Sequence, residues 1–143
     1  MNRRKIGTRL LQGVGLGTAF GGLVADWNKT HVFNPAWPPH ARFHSSVIVF
    51  TGLFAGLGTL FLSSRKKASN QDLAIAAALP AGFFLSQAIS LAVPGAKGLD
   101  AEFPDALPKV RGYQINELDI SLAFIALAGA GYLLARRRDR VAD

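Results

Sequence analysis

Apolar residues in this chain of 143 residues are concentrated in four long runs. These runs contain no Asp, Glu, Lys, Arg or His, and they cover residues 10–25, 45–62, 73–93 and 120–135. With a few flanking residues, each run reaches the roughly 17 to 25 residues that a helix needs to cross a hydrocarbon core of about 30 Å. A soluble bundle would show a polar face recurring every three or four residues, and none of the runs has one.

We therefore predict an all-α fold, a four-helix transmembrane bundle forming a single integral membrane domain over residues 1–143. The spans are expected at about residues 10–27, 41–63, 73–93 and 118–135. The first run follows a basic segment, as in a signal peptide, but a small-x-small cleavage site is missing around residues 23–25. It is interpreted as a retained helix.

The basic residues are distributed unequally between the two ends of the predicted bundle. The N-terminus, the 63–72 turn and the C-terminus together carry 11 of the 16 Lys and Arg residues, and the other side carries the remaining 5. The positive-inside rule then places both termini in the cytoplasm and makes residues 28–40 and 94–117 exoplasmic loops. The expected location is the plasma (inner) membrane, with membrane lipids as partners.

Charge and composition exclude several other classes of protein. The chain has no cysteine, which rules out a disulfide scaffold, a Cys zinc site and a thiol nucleophile. Its formal charge is +7, but the basic residues form three short clusters beside the spans without interleaved aromatic residues. We therefore expect no nucleic-acid partner, and contact with anionic lipid headgroups instead.

Small residues spaced four apart predict close helix packing within three spans. They are Gly13, Gly17 and Gly21 in the first, Gly52 and Gly56 in the second, and Ala126 and Ala130 in the fourth. Small residues at this spacing let helix backbones approach closely in lipid. The stripes are expected to pack one bundle internally; the alternative is a homo-oligomer that associates through one of them.

All three histidines lie within fourteen residues, at His31, His40 and His44. If Pro39 occupies the first turn of the second helix, His40 and His44 share one face of that helix. Three imidazoles with Asp26 near by would suit a divalent metal such as zinc. Two alternatives stay open: a hydrogen-bonding role in an interfacial loop, and proton transfer or contact with a substrate.

Further candidate residues for ligand binding or loop recognition surround these histidines. Arg42 lies about 200° around the helix from His40, so we expect it to face away and pair with a carboxylate or a lipid phosphate. Hydroxyl and amide side chains within the spans lie mainly in the halves nearest the exoplasmic loops. They predict a small polar cavity beneath the histidine segment. The full candidate set is Asp26, Trp27, Asn34, Trp37, Arg42 and Gln87.

The segment from residue 26 to residue 44 follows the pattern Asp-x-Asn-x-Thr-His-x-x-Asn-Pro-x-Trp-x-x-His-Ala-Arg-Phe-His. This pattern resembles the signature of a family of small, uncharacterised four-helix integral membrane proteins, known as a domain of unknown function. The resemblance implies the fold and a membrane location, and it implies no activity.

Two hypotheses about function follow. The first is a non-catalytic membrane protein, either an accessory subunit that binds partner membrane subunits or a lipid- or ligand-binding protein, with an ordered exoplasmic loop as its recognition element. The second is a small membrane enzyme or metal-handling protein that uses the three histidines on a lipophilic substrate. The absence of charged residues from the four apolar runs argues against ion pumps and voltage-driven transport.

The loop itself is expected to be folded against the bundle. Two tryptophans and two phenylalanines carry too much apolar area to stay in water at about 25 cal/mol per Å². Prolines lower the entropy lost when this loop becomes ordered. We expect His40 and His44 to point inward over the polar cavity, and Trp37 to pack at the membrane boundary.

The predicted orientation can be measured with reporter fusions. A reporter fused after Asp143 should report the cytoplasm, and one inserted within residues 97–107 should report the opposite side, because the basic clusters hold the termini inside. An exoplasmic signal from the C-terminal fusion would reverse the topology.

Overall fold

Four α-helices make up most of residues 2–137, the part of the chain that the computed structural model describes. Helix α1 covers Arg3–Ala25, α2 covers Pro39–Ser64, α3 covers Asn70–Ser90 and α4 covers Glu117–Ala135. Each helix packs mainly on its two neighbours in the cycle α1–α2–α3–α4, and α1 and α3 touch only slightly across the diagonal. The predicted all-α four-helix fold is confirmed.

The helices start where the local sequence supplies caps for their first N–H groups. The Asn2 side chain accepts from the Arg4 N–H at the start of α1, and Pro39 occupies the first turn of α2, as predicted. Capping boxes formed by Ser69 with Asp72 and by Asn116 with Asp119 open α3 and α4. These caps satisfy donors that have no partner within the helix.

The bundle therefore has two different ends. We call the end with the 65–69 turn, the start of α1 and the end of α4 the basic end, and the opposite end the loop end. The loop end carries residues 26–38 and 91–116. The second of these segments contains a short 3₁₀ helix, Leu99–Ala101, and a two-stranded hairpin pairing Lys109–Val110 with Tyr113–Gln114. The turn residues Arg111 and Gly112 both have positive φ, as a tight two-residue hairpin turn requires.

Three helices, α2, α3 and α4, are long and apolar enough to cross a membrane. Helix α1 extends seven residues before the predicted span and carries three arginines and a lysine there, which shortens its apolar part. It also ends at Ala25, so Asp26 and Trp27 lie in the following loop and not in the helix predicted for residues 10–27. The basic residues Arg138 and Arg140, part of the predicted C-terminal cluster, lie outside the described residues.

Large and small apolar side chains are distributed unequally between the surface and the interior of the bundle. Large apolar side chains point outward: Phe54 is 69% exposed and Phe61 is 70% exposed. The fully buried positions are held instead by a few leucines and many alanines, such as Leu11, Ala76 and Ala128. Water-soluble monomers rarely expose large contiguous apolar patches. This arrangement fits a membrane protein.

Glycines at the helix contacts let the backbones approach closely. A Cβ atom on Gly56 of α2 would overlap the backbone of Gly15 and Ala19 in α1, and one on Gly7 would overlap the backbone of α4 near Ala135. Gly52 faces the Thr18 carbonyl oxygen, which would lie 3.2 Å from an added Cβ. Backbone contact of this kind is the packing expected where lipid gives no hydrophobic drive.

The predicted Gly13–Gly17–Gly21 stripe is not the packing face of α1. Gly13 and Gly21 have no neighbour within 4 Å of an added Cβ, and Gly17 faces only the ring of Phe124. Successive positions four apart drift by about 40° around a helix, so three of them do not stay on one contact. The face that meets α2 contains Gly15 and Gly22 instead.

A hydrogen bond between α2 and α3 compensates for the proline inside α3. Pro80 has no N–H, so the carbonyl oxygen of Ala76, four residues earlier, loses its helical donor. The hydroxyl group of Thr59, fully buried on α2, lies 2.9 Å from that oxygen and donates to it. The polar group freed by Pro80 is thus satisfied inside the bundle.

The closest helix contact gives a stability prediction. Gly56→Ala should destabilise the protein by about 1–3 kcal/mol, because the new methyl group overlaps backbone atoms that cannot rotate away. The control is Gly13→Ala, which adds the same group to a helix position with free space and should leave stability unchanged or raise it. Thermal unfolding in detergent measures both; equal melting temperatures for the two variants would contradict this packing.

Candidate functional site

The candidate residues gather at the loop end, on three different elements. Asp26, Trp27, Asn34 and Trp37 lie in the 26–38 loop, while Arg42 is on α2 and Gln87 is on α3. The loop is folded by a network of hydrogen bonds between side chains and backbone.

Asp26 is the first anchor of this loop. Its N–H donates to the Gly22 carbonyl and so caps the end of α1. Its own carbonyl oxygen accepts from the N–H groups of Asn28, at 2.9 Å, and Val32, at 3.1 Å. Val32 is buried, so the chain folds back onto the bundle immediately after α1 ends.

Asn28, which was not among the predicted site residues, is the second anchor. Its amide nitrogen donates to the Ala25 carbonyl at 2.6 Å. Its side-chain oxygen accepts from both the N–H and the hydroxyl group of Thr30, at 2.8 and 2.7 Å. The Asn-x-Thr spacing of the sequence is the signal for this turn, because an Asn side chain readily binds backbone two residues on.

Asn34 fixes the second half of the loop. It is 4% exposed, and its amide group donates to the Thr30 carbonyl at 3.2 Å and accepts from the Ala36 N–H at 3.0 Å. The backbone continues this pattern, with the Trp37 N–H donating to the Asn34 carbonyl. Asn34 is therefore used in folding the loop, and its polar atoms are taken up there.

His31 lies between Thr30 and Asp26. Its Nδ1 is 2.8 Å from the Thr30 Oγ1, and its Nε2 is 3.7 Å from an Asp26 carboxylate oxygen. The Thr30 hydroxyl donates its proton to Asn28, so Oγ1 is left to accept from Nδ1–H of His31. The other ring nitrogen then faces the carboxylate, and the Trp37 ring packs edge-on against the imidazole.

The Asp26 carboxyl group lies in the loop beyond α1 and is only partly accessible to solvent. Burial raises the pKa of this carboxyl group, the nearby His31 lowers it, and the charge of Glu117 raises it; the net direction is upward from its ordinary value. The Asp26 carboxyl group therefore holds its proton to a higher pH than an exposed aspartate would.

Glu117 and Gln87 connect α3, α4 and the second loop. The Glu117 carboxylate accepts from the Leu99 N–H at 2.7 Å and fills the space beside Gly98 so closely that a Cβ there would lie 2.7 Å from it. The Ser121 hydroxyl, fully buried, lies 3.0 Å from the Gln87 side-chain oxygen. Glu117 was not predicted, since a carboxylate in a helix's first turn is common for other reasons.

His40 and His44 form a second, separate unit. Their Nε2 atoms are 3.1 Å apart, on the same face of α2 as predicted, with the Phe43 ring beside them. Both side chains are exposed, so the expectation that they point inward is wrong. No residue of α2 before Val49 is buried, so the first turns of this helix are only lightly packed.

The three histidines do not come together as one ligand set. Among residues 2–137, no three His, Cys, Asp or Glu side chains are placed to hold a metal ion. His31 is engaged with Thr30 and Asp26, while His40 and His44 contact each other. This arrangement gives no support to the three-histidine metal site.

The remaining polar candidates are also separated. Arg42 is exposed and forms no ion pair with any residue of the described chain. The hydroxyl groups of Ser46, Thr51, Ser86 and Ser90 donate to carbonyl oxygens of their own helices, three or four residues back. Thr51 and Ser86 line the same groove between α2 and α3, but the other residues that line it are apolar, so this groove is not the predicted polar cavity.

Comparison with known proteins gives the family. Residues 12–143 match the model of the family described as "Family of unknown function (DUF6640)". Because the match covers most of the chain, the protein belongs to this family, and the expected membership of an uncharacterised family is confirmed. No curated protein and no solved structure matches the chain.

The raised pKa of Asp26 predicts a pH dependence. Between the unfolded and the higher folded pKa, the folded state binds more protons, so this group makes folding less favourable as pH rises. Asp26→Asn stays neutral and removes the effect. The melting temperature of the wild type should therefore fall relative to that of Asp26→Asn as the pH rises above about 4, the ordinary pKa of an aspartate.

Asp105→Asn is the matched control, because the Asp105 side chain is 97% exposed. Its melting temperature should follow that of the wild type over the same pH range. A constant difference between wild type and Asp26→Asn would show that burial does not affect the Asp26 carboxyl group.

Proposed function

We propose that the protein is an integral membrane protein with four spanning helices and both termini in the cytoplasm of the cell, set in the plasma (inner) membrane. Its role is non-catalytic: the loop end recognises a partner membrane protein, so the chain acts as an accessory subunit. The support is the membrane-type surface of the helices together with the ordered loop between α1 and α2.

The packing of α1 supports its assignment as the fourth span. Gly15 and Gly22 bring it against α2, and Gly7 brings it against α4, so it is in contact with two apolar helices from its first turns to its last. A helix that packs this closely against two membrane-spanning helices lies at the same depth in the membrane as they do. The orientation rests on the excess of basic residues at the basic end.

The observation that carries the recognition role is the set of aromatic side chains on the folded loop end. Trp27, Phe33 and Phe43 are 42%, 49% and 59% exposed, although the backbone beneath them is fixed. Trp27 packs edge-on against both Phe33 and Phe50 of α2, which holds its ring in place. Aromatic side chains on a preorganised backbone bind partners with little loss of entropy.

The signature residues support the same role indirectly. The polar atoms of Asn28, Thr30 and Asn34 are used to fold the loop. What the loop end offers to another molecule is its aromatic side chains and the exposed guanidinium group of Arg42 on α2. That combination is typical of a protein interface.

Site-specific photocrosslinking in native membranes tests this proposal. A photoreactive residue at Phe33 should give one discrete protein adduct, while the same residue at Phe61, equally apolar and 70% exposed on the side of α2, should give lipid adducts. An adduct of twice the mass of the chain would identify the partner as a second copy. Lipid adducts alone at Phe33 would reject the recognition role.

A metal-handling role is the second candidate, and the His40–His44 pair favours it. Two imidazoles bound to one tetrahedral zinc at 2.0–2.1 Å have nitrogens about 3.3 Å apart, close to the observed 3.1 Å. Water or a second molecule would supply the other ligands. Metal analysis of detergent-purified protein tests this role. Stoichiometric zinc that is lost in His40→Ala/His44→Ala and retained in His31→Ala supports metal handling, and zinc-free wild type would reject it.

A further inference from the structure

An apolar groove runs along the outside of the bundle between α3 and α4. It has a volume of about 350 Å³ and is lined by Ala74, Ala77, Ala78, Ala81, Ile125, Gly129 and Tyr132. The side of the groove formed by α3 consists of alanines, whose short side chains leave space between the two helices. From Ala74 to Ala81 the groove extends about 10 Å along the helix axis, at 1.5 Å per residue.

The groove leads toward two arginines at the basic end. Tyr132 is its lining residue nearest that end, and the guanidinium group of Arg136 lies 5.9 Å from the centre of the Tyr132 ring. The backbone of Arg137 is held at the start of α3, since its N–H donates to the Asn70 side chain at 2.8 Å and its carbonyl accepts from it at 3.1 Å. The Arg136 guanidinium group therefore lies beside the mouth of the groove, and the backbone of Arg137 is held at the same end of the bundle.

These arginines have no carboxylate partner in the part of the chain that the structure describes. Asp72, in the first turn of α3, is already bound by Arg65 at 2.7 Å and by Ser69. Within residues 2–137, the mouth of the groove is therefore positively charged and has no carboxylate counter-ion. Basic positions between helices at a membrane boundary attract anionic headgroups.

We propose that this groove is a binding site for an anionic phospholipid. One acyl chain lies against the alanine wall of α3, and the phosphate group contacts the guanidinium groups of Arg136 and Arg137. The shape of the groove alone would accept any acyl chain, and the charge of the arginines alone would attract any anion. The groove and the arginines together select a molecule that carries both, and this site lies at the opposite end of the bundle from the proposed recognition loop.

The test uses the full chain, purified in detergent and stripped of lipid. Binding of phosphatidylglycerol, of phosphatidylcholine with the same chains, and of inorganic phosphate is measured by native mass spectrometry and by thermal shift. Phosphatidylglycerol should bind at least about tenfold more tightly than phosphatidylcholine, which corresponds to about 1.4 kcal/mol, and phosphate should not bind measurably. Equal affinity for the two lipids would overturn the proposal, and phosphate binding as tight as the lipid would reduce it to an anion site.

Two pairs of variants locate the site. Arg136→Ala/Arg137→Ala should reduce phosphatidylglycerol affinity to that of phosphatidylcholine, while Lys66→Ala/Lys67→Ala removes the same charge from the 65–69 turn and should change affinity less than about twofold. The Asn70 contacts use only the backbone of Arg137, so the first variant keeps them. An equal loss in both variants would mean general surface attraction and would reject the site.

The second pair tests the groove. Gly129→Leu places a side chain where an added Cβ meets nothing within 4 Å, so the fold accepts it while the groove is filled, and lipid affinity should fall at least about tenfold. Gly13→Leu makes the same change at an open position on α1 and should leave binding intact. Unchanged binding by Gly129→Leu would show that the acyl chain does not occupy the groove.

Discussion

Backbone contact between α1 and α2 is the constraint on which the other features depend. Gly56 meets the backbone of Gly15 and Ala19 with no space for a side chain, and Gly22 brings the end of α1 to Val49. This contact sets where α1 ends relative to α2. Because Gly22 lies against Val49, α1 ends at Ala25 beside the loop-end half of α2 and short of the start of α2 at Pro39. The chain must then run alongside the first turns of α2 to reach the start of that helix, and residues 26–38 form this connecting segment.

The path of this connecting segment explains why the loop is rich in side chains that form hydrogen bonds with backbone groups. A segment that folds back against a helix bundle has to satisfy its own N–H and C=O groups wherever they are shielded from water. Asp26, Asn28 and Asn34 supply those partners in turn. The loop is thus an extension of the bundle, and the aromatic side chains it carries are presented from a fixed backbone.

The helices and their order could be predicted because uncharged runs of sufficient length have few other structures available. The start of α2 could be predicted from Pro39, since a proline at the first helical position loses nothing. The separation of His31 from His40 and His44 could not, because nearness in sequence does not give direction in space. The packing face of α1 was missed for a similar reason: Gly13 and Gly15 are equally small, and only the position of α2 distinguishes them.

The bond from Thr59 to the Ala76 carbonyl makes two distant positions of the sequence interdependent. While residue 80 is proline, loss of the Thr59 hydroxyl leaves a carbonyl group without a donor inside an apolar bundle. Once residue 80 has an N–H, the helix supplies the donor itself and position 59 is released from that requirement. The tolerance of residue 59 to substitution is therefore decided by the residue at position 80, on a different helix. Substitutions at the two positions are expected in one order, with the proline replaced before the threonine.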